Sequence, residues 1–308
     1  MRKYVFFILC VLLTGCASTG KVPEDIHYTL HNDIAYGPHE RNKIDISIPD
    51  NAAGNLNVIL FIHGGIWMYG DKNDYPLFLD NFRDRFIVAS MNHRYIDEDI
   101  HMAEVIDDVS SAVSFIKEFS SQYGSVNKVV IMGHSSGAHL SLLYAYKNYK
   151  NSPIPIAFCV SLAAPTDLSD VAFLYNFKKS RMLPLFYKVG ENATGYRLSD
   201  NEIGDNGYNE SIKEALMSIS PLYFVNAGIP PVIIVHDVGD PLVPYSNSAA
   251  LNSTLHILNV DHDFIASYTG LGHTLKAKRA KNKALIYDSQ LESKLLSKFN
   301  EYVEKYCN

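Results

Sequence analysis

Short apolar runs alternate with longer stretches of mixed polarity along most of this chain. Runs of four to eight apolar residues bounded by turn residues are typical of buried strands, whereas apolar positions three and four apart are typical of helices. The pattern predicts strands over residues 26–34, 43–48, 56–62, 86–91, 129–132, 156–164, 232–235 and 263–268. It predicts helices over residues 76–85, 102–119, 138–146 and 291–303. Because strands alternate with helices, we expect a mostly parallel, doubly wound α/β sheet that is covered on both faces.

The segment 168–220 breaks this alternation, since it is rich in aromatic residues, asparagine and glycine. We interpret it as a cap-like insertion over the strand ends, and an irregular surface excursion without such a role is the alternative. A chain of 308 residues with 47% hydrophobic residues can form one large α/β domain. We therefore predict a single folded domain over residues 26–308.

The amino terminus has the proportions of an export signal. Two basic residues at positions 2 and 3 precede an apolar run over residues 4–13, which is too short to span a membrane. The run ends in L-T-G-C at residues 13–16, and this sequence resembles a bacterial lipobox.

The lipobox resemblance implies that residues 1–15 are removed as a signal peptide and that Cys16 becomes lipidated. Several acyl chains on one cysteine would anchor the protein stably to a membrane, with residues 16–25 as a short tether. The protein is then expected in the bacterial cell envelope. No aspartate follows Cys16, which by the same resemblance favours the outer membrane. An ordinary secretory signal, cut after a small residue, is the alternative.

Residues 128–140 predict a buried strand, a sharp turn and the start of a helix. Gly133 and Gly137 flank Ser135 in a G-x-S-x-G pattern at that turn. A strand that reverses directly into a helix brings the residues on either side of the apex together, so side chains there would clash. The apex hydroxyl would be exposed, and the helix would point N–H groups at the atom that it attacks. This placement predicts that Ser135 is a nucleophile.

A serine hydroxyl needs a base to remove its proton and an acid to orient that base. Asp240 follows the strand 232–235 and is the predicted acid, with the neighbouring Asp237 as the alternative. His273 follows the last strand and is the predicted base. His256 and His262 precede that strand and would lie at its wrong end.

A negatively charged tetrahedral intermediate needs hydrogen-bond donors at its oxyanion. The backbone N–H of Ser136 is one predicted donor. The loop after the strand 56–62 reads H-G-G-I-W, and the amides of Gly65 and Ile66 are the other predicted donors. His63 is expected to stiffen this loop, as is His134 beside the serine. Trp67 in the same loop either packs or contacts substrate.

The charges and the cysteines of the chain give three further expectations. The net charge is −6 and the basic residues are scattered, which argues against a nucleic-acid partner. Cys159 lies in an apolar run and is predicted to be a small buried residue. A basic run over residues 276–283 either forms a solvated loop or attracts an anionic substrate or lipid headgroups.

The motifs together resemble the α/β-hydrolase superfamily. They are H-G-G-I-W at residues 63–67, G-H-S-S-G at 133–137 and H-D-V-G-D-P-L-V-P at 236–244, and the resemblance runs from Lys43 to the carboxyl terminus. It is nearest to the esterase group that contains feruloyl-esterase-like carboxylesterases and kynurenine formamidases. It departs from the hormone-sensitive-lipase branch, where a third glycine would replace Ile66 and an aspartate would replace His134.

The resemblance implies a serine esterase that cleaves a small-molecule ester through an acyl-enzyme intermediate, without a metal or cofactor. Aromatic esters, acetylated sugars and simple lipid esters are all compatible with these motifs. The first alternative is a formamide or amide hydrolase with the same machinery. The second is a non-catalytic lipoprotein that uses the hydrolase fold for binding.

Overall fold

The computed structural model describes residues 28–52, 54–179, 181–199, 203–204, 207–278 and 285–308. The predicted signal peptide, Cys16 and its tether lie outside these residues, and so do residues 279–283 of the basic run. Within the described ranges, no helix has the length and apolar content needed to cross a membrane.

In the ranges given above, eight strands form one central sheet, and four short strands pair in two separate hairpins. The strands are β1 (Tyr28–Ala35), β2 (Lys43–Pro49), β3 (Asn55–Ile62), β4 (Phe86–Met91), β5 (Ser125–His134), β6 (Ile156–Leu162), β7 (Ile203–Gly204), β8 (Gly207–Tyr208), β9 (Val232–Asp237), β10 (His262–Ser267), β11 (Lys276–Lys278) and β12 (Leu285–Tyr287). The order in the central sheet is β1-β2-β4-β3-β5-β6-β9-β10. Only the β1–β2 and β2–β4 pairs of this sheet are antiparallel, which confirms the predicted mostly parallel α/β fold.

Helices cover both faces of the sheet. They are α1 (Met102–Ser120), α2 (Ser136–Asn148), α3 (Val171–Lys179), α4 (Leu183–Thr194), α5 (Glu210–Ser218), α6 (Tyr245–Ile257) and α7 (Ser289–Tyr306). In β3, Val58, Leu60 and Ile62 pack towards α1 and α2. Ile59 and Phe61 point the other way and belong to the core layer under α7. A central parallel strand is thus apolar on both faces, which explains its continuous apolar sequence.

The predicted helix over residues 76–85 is wrong in type and length, because the structure has a 3₁₀ helix over Leu77–Phe82. Leu79 and Phe82 are three positions apart and both fully buried. A 3₁₀ helix has three residues per turn and therefore places them on the same side.

The segment 168–220 leaves the carboxyl end of β6 and contains α3, α4, the β7–β8 hairpin and α5. Its apolar side chains share one core layer with α1, and the buried ones include Phe173, Phe186, Val189, Ile212 and Leu216. The His101 ring, just before α1, donates to the carbonyl of Asn192 in α4 at 2.7 Å. The segment is therefore a packed helical layer, and a lid role for it stays a prediction.

Candidate active site

Ser135 occupies the apex of a strained turn between β5 and α2, with φ 54° and ψ −123°. A Cβ at Gly133 would lie 2.3 Å from the carbonyl carbon of Gly137. A Cβ at Gly137 would lie 2.1 Å from the carbonyl oxygen of Ile62 in β3. Real Cβ atoms do not approach backbone this closely, so both flanking positions require glycine.

The structure brings Ser135, His273 and Asp240 into one hydrogen-bonded chain. The Ser135 hydroxyl donates to Nε2 of His273 at 2.7 Å, and Nδ1 of His273 donates to Oδ2 of Asp240 at 2.7 Å. An ionised carboxylate only accepts, so the proton of a neutral His273 ring lies on Nδ1 and Nε2 faces the serine. Strands β5, β9 and β10 run in the same direction, so their carboxyl ends lie along the same side of the sheet. Ser135, Asp240 and His273 each follow one of these strands in the chain, and this brings them together.

Asp240 is held by more than His273. Its Oδ1 accepts hydrogen bonds from the backbone N–H groups of Leu242 at 2.8 Å and Val243 at 3.0 Å. Nε2 of the buried His236 lies 3.3 Å from Oδ2. Burial opposes ionisation of Asp240, but hydrogen bonds from His236 and His273 outweigh it and hold the pKa of this carboxyl well below its usual range.

The alternative acid and bases have other partners. Asp237 accepts from the Gly239 N–H, the Ser267 hydroxyl and the Leu271 N–H, so it braces the loop that carries His273. His262 begins β10, at the opposite end of that strand from the His273 loop, and its ring donates to a nearby carbonyl. His256 is exposed on α6.

The H-G-G-I-W loop forms a tight turn beside Ser135. Gly65, Ile66 and Trp67 all have positive φ, at 130°, 55° and 58°. The Gly65 carbonyl accepts from the N–H of Met68 at 3.1 Å and of Tyr69 at 2.8 Å. These residues, 65–69, are called the oxyanion turn below.

Within the part of the chain that the structure describes, the N–H groups of the three predicted oxyanion donors have no acceptor. Among the described residues, none accepts a hydrogen bond from the backbone N–H of Gly65 or Ile66. Ser136 is the first residue of α2, so its N–H has no acceptor within that helix. The H-G-G-I-W loop also lies against the strained turn at Ser135, called the elbow below, since a Cβ at Gly64 would be 3.2 Å from Cβ of Ser135.

Two histidines stiffen the surroundings of the serine. Nδ1 of His63 donates to the Gly64 carbonyl at 2.7 Å, and its ring stacks on the buried His93 ring at 4.6 Å. Burial lowers the pKa of His63 and of His93, so these two rings are neutral. Nε2 of His134 donates to the backbone carbonyl of His273 at 2.8 Å, which ties the elbow to the loop of the base.

Sequence reasoning missed two further contacts. The contact between His236 and Asp240 joins residues four apart along the chain. Trp67 is buried, and its indole N–H donates to Nδ1 of His139 on α2 at 3.2 Å. His139 stands four residues after Ser135, which is one helical turn, and that spacing was the available signal.

No metal-ligand cluster accompanies these residues. In the described part of the chain, three or more His, Cys, Asp or Glu side chains nowhere converge as a metal site would require.

A model of a known protein family matches the part of the chain that contains most of these site residues. The BD-FAE family model covers residues 44–255, which is more than half of the sequence and includes Ser135 and Asp240. The chain belongs to the BD-FAE family.

Curated relatives of this BD-FAE chain carry hydrolase names. The probable isoprenylcysteine alpha-carbonyl methylesterase ICMEL1 of Arabidopsis thaliana is 26% identical over 264 residues, which are 80% of this chain and 51% of the relative. Esterase LipQ of Mycobacterium tuberculosis is 29% identical over 237 residues, which are 73% and 52%. Kynurenine formamidase of Danio rerio is 26% identical over 137 residues, which are 42% and 44%. The chain thus spans about half the length of these relatives.

Solved structures share the fold of this BD-FAE chain. A truncated carbohydrate esterase from gut microbiota superimposes with a TM-score of 0.68 at 19% identity, covering 91% of this chain and 98% of that one. At this identity the match establishes the α/β-hydrolase fold.

Proposed function

We propose that this protein is a serine esterase that hydrolyses carboxylic esters through an acyl-enzyme intermediate. The continuous chain from Ser135 through His273 to Asp240, at 2.7 Å for each contact, is the observation that carries the proposal. Membership of the BD-FAE family and the esterase names of its relatives support it.

Each residue has a defined role in this mechanism. His273 accepts the hydroxyl proton through Nε2 while Oγ of Ser135 attacks the ester carbonyl. The N–H groups of Gly65, Ile66 and Ser136 stabilise the oxyanion that forms. His273 then gives its proton to the leaving alcohol and activates a water molecule, which hydrolyses the acyl-enzyme. Asp240 keeps the ring oriented and stabilises the imidazolium.

A fluorophosphonate probe tests the nucleophile. We expect covalent labelling of the wild-type protein and loss of labelling, together with loss of p-nitrophenyl acetate hydrolysis, in Ser135→Ala. A folded wild-type protein that is neither labelled nor active would instead favour a binding role for this fold.

The pH dependence tests the base. An imidazolium cannot accept the serine proton, so kcat/KM should fall about tenfold per pH unit once the base is protonated. A constant rate between pH 8 and pH 4 would contradict the role of His273.

The match to kynurenine formamidase makes formamides the second candidate substrate class. A comparison of kcat/KM for short acyl esters, acetylated sugars, aryl esters and N-formylkynurenine separates the two. Preference for the formamide by more than about tenfold would replace esterase with formamidase as the activity.

We further propose that Cys16 is lipidated and holds the enzyme at the bacterial cell envelope. The basic start, the short apolar run and the L-T-G-C sequence support this. An alkyne fatty acid fed to the expressing cells should label the wild-type protein but not Cys16→Ser. Secretion of unlabelled wild-type protein would favour the ordinary signal peptide.

A further inference from the structure

One buried histidine on the helix after Ser135 binds two other parts of the structure. His139 lies on α2, one helical turn after Ser135, and is fully buried. Its Nδ1 accepts the indole N–H of Trp67 in the oxyanion turn at 3.2 Å. Its Nε2 donates to the carbonyl of Ile219, at the end of the segment 168–220, at 2.7 Å. The His139 and Trp67 rings meet edge to face, with centroids 5.0 Å apart.

These partners allow a single protonation state. An indole N–H can only donate and a backbone carbonyl can only accept, so the proton lies on Nε2 and Nδ1 must be free to accept. Burial lowers the pKa of His139 to about 4, and the bond to Ile219 acts in the opposite direction. His139 is therefore neutral near pH 7, as its contact with Trp67 requires.

The oxyanion turn needs support from outside itself. Ile66 is β-branched and Trp67 is bulky, yet both have positive φ, which is unfavourable for such residues. The bonds from Met68 and Tyr69 to Gly65 close the turn but do not tie it to its surroundings. Among the described residues, the Trp67 carbonyl accepts from the N–H of Ile96, and the Trp67 side chain binds His139.

We propose that His139 is a positioning residue for the oxyanion hole. Through its bond to Trp67 it fixes the oxyanion turn, and thereby the direction of the Gly65 and Ile66 N–H groups, relative to the helix that begins beside Ser135. Its second bond joins the end of the segment 168–220 to the same unit. The inference rests on the proposed esterase function, because it assigns a role within that same site.

Two substitutions at His139 separate its two bonds. The side-chain oxygen of asparagine reaches the position of Nδ1, so His139→Asn keeps an acceptor for Trp67. The side-chain nitrogen of glutamine reaches the position of Nε2, so His139→Gln keeps only the donor to Ile219. Trp67→Phe removes the indole donor and retains an aromatic ring.

We expect His139→Gln and Trp67→Phe to lower kcat for p-nitrophenyl acetate by about tenfold, with KM within about twofold of wild type. His139→Asn should stay within about threefold of the wild-type kcat. In the double variant Trp67→Phe/His139→Gln, the loss should equal that of either single variant, since both remove one interaction.

Controls keep folding apart from positioning. Thermal unfolding and titration of active sites with the fluorophosphonate ensure that kcat is counted per reactive Ser135. Tyr146→Phe is the matched control, because it removes a buried hydroxyl from the same helix that has no partner among the described residues. It should leave kcat unchanged.

Two outcomes are distinct from one another. If the wild-type protein hydrolyses esters through Ser135 but His139→Gln and His139→Asn reduce kcat equally, or neither reduces it, the positioning role is overturned. If the wild-type protein hydrolyses no ester, the proposed function fails first and the inference fails with it.

Discussion

At the scale of single residues, the site depends on which polar atoms each side chain faces. Asp237 and Asp240 are both buried and only three positions apart. Asp240 faces Nδ1 of His273, whereas Asp237 faces the hydroxyl and N–H groups of the adjoining loop. The two carboxylates therefore have different expected roles despite similar sequence contexts.

Substitution by asparagine distinguishes these carboxylates. Asp240→Asn should lower kcat by about 10³-fold or more, because the amide no longer stabilises the imidazolium or fixes the correct tautomer. Asp237→Asn should mainly lower the melting temperature and reduce kcat by less than about tenfold, since it weakens loop bracing. Steady-state kinetics on folded protein provides the measurement. Equal losses of kcat in both variants would contradict the assignment of Asp240.

At the scale of elements, the backbone of the β5–α2 elbow lies directly against the backbone at the end of β3. Gly137 does not have a positive φ, so its requirement for glycine is purely steric and comes from the backbone of β3. Local sequence predicts a turn here, but the close approach of a neighbouring strand is what excludes a side chain.

Gly137→Ala should destabilise the protein by about 3 kcal/mol or more, because its Cβ would meet the backbone oxygens of Ile62 and His63, which cannot move aside singly. Gly54→Ala is the control. Gly54 has φ 83° and open space around it, so alanine there should cost only about 1 kcal/mol. Urea denaturation of both variants tests this, and similar midpoints would refute the steric explanation.

At the scale of the whole molecule, folding buries several histidines in the neutral form. Burial lowers the pKa of His139 to about 4, and it also lowers the pKa of His63 and of His93. An unfolded histidine titrates near pH 6.5. Below that pH the unfolded chain binds protons that the folded chain does not, so stability falls as the solution becomes more acidic.

Between pH 7 and pH 5, His139 alone should remove about 2 kcal/mol from the free energy of unfolding, at about 1.4 kcal/mol per pH unit below 6.5. Urea denaturation at the two pH values measures the total loss. The slope should be smaller in His139→Asn, which has no titrating group at this position. An unchanged slope in that variant would show that His139 does not contribute.

The positions of the central strands along the chain and the identity of the candidate site residues follow from short stretches of sequence. Apolar runs, the glycines around Ser135 and the positions of Asp240 and His273 after strands are all local features, and parallel strands necessarily bring such residues to one edge. The 3₁₀ helix over Leu77–Phe82 could not be predicted as such, because it depends on which side chains the neighbouring elements bury.

The sequence by itself determined the α/β class, the family and the set of residues able to form a Ser-His-Asp chain. Only the tertiary structure decided which aspartate faces His273, that His236 supports Asp240, and that His134 and His139 bind the two loops on either side of Ser135. The physical reason is the separation along the chain over which each kind of interaction acts. Periodicity and turn chemistry act between neighbours in the chain, whereas the hydrogen bond from Trp67 to His139 forms only because the fold brings the indole nitrogen within 3.2 Å of Nδ1.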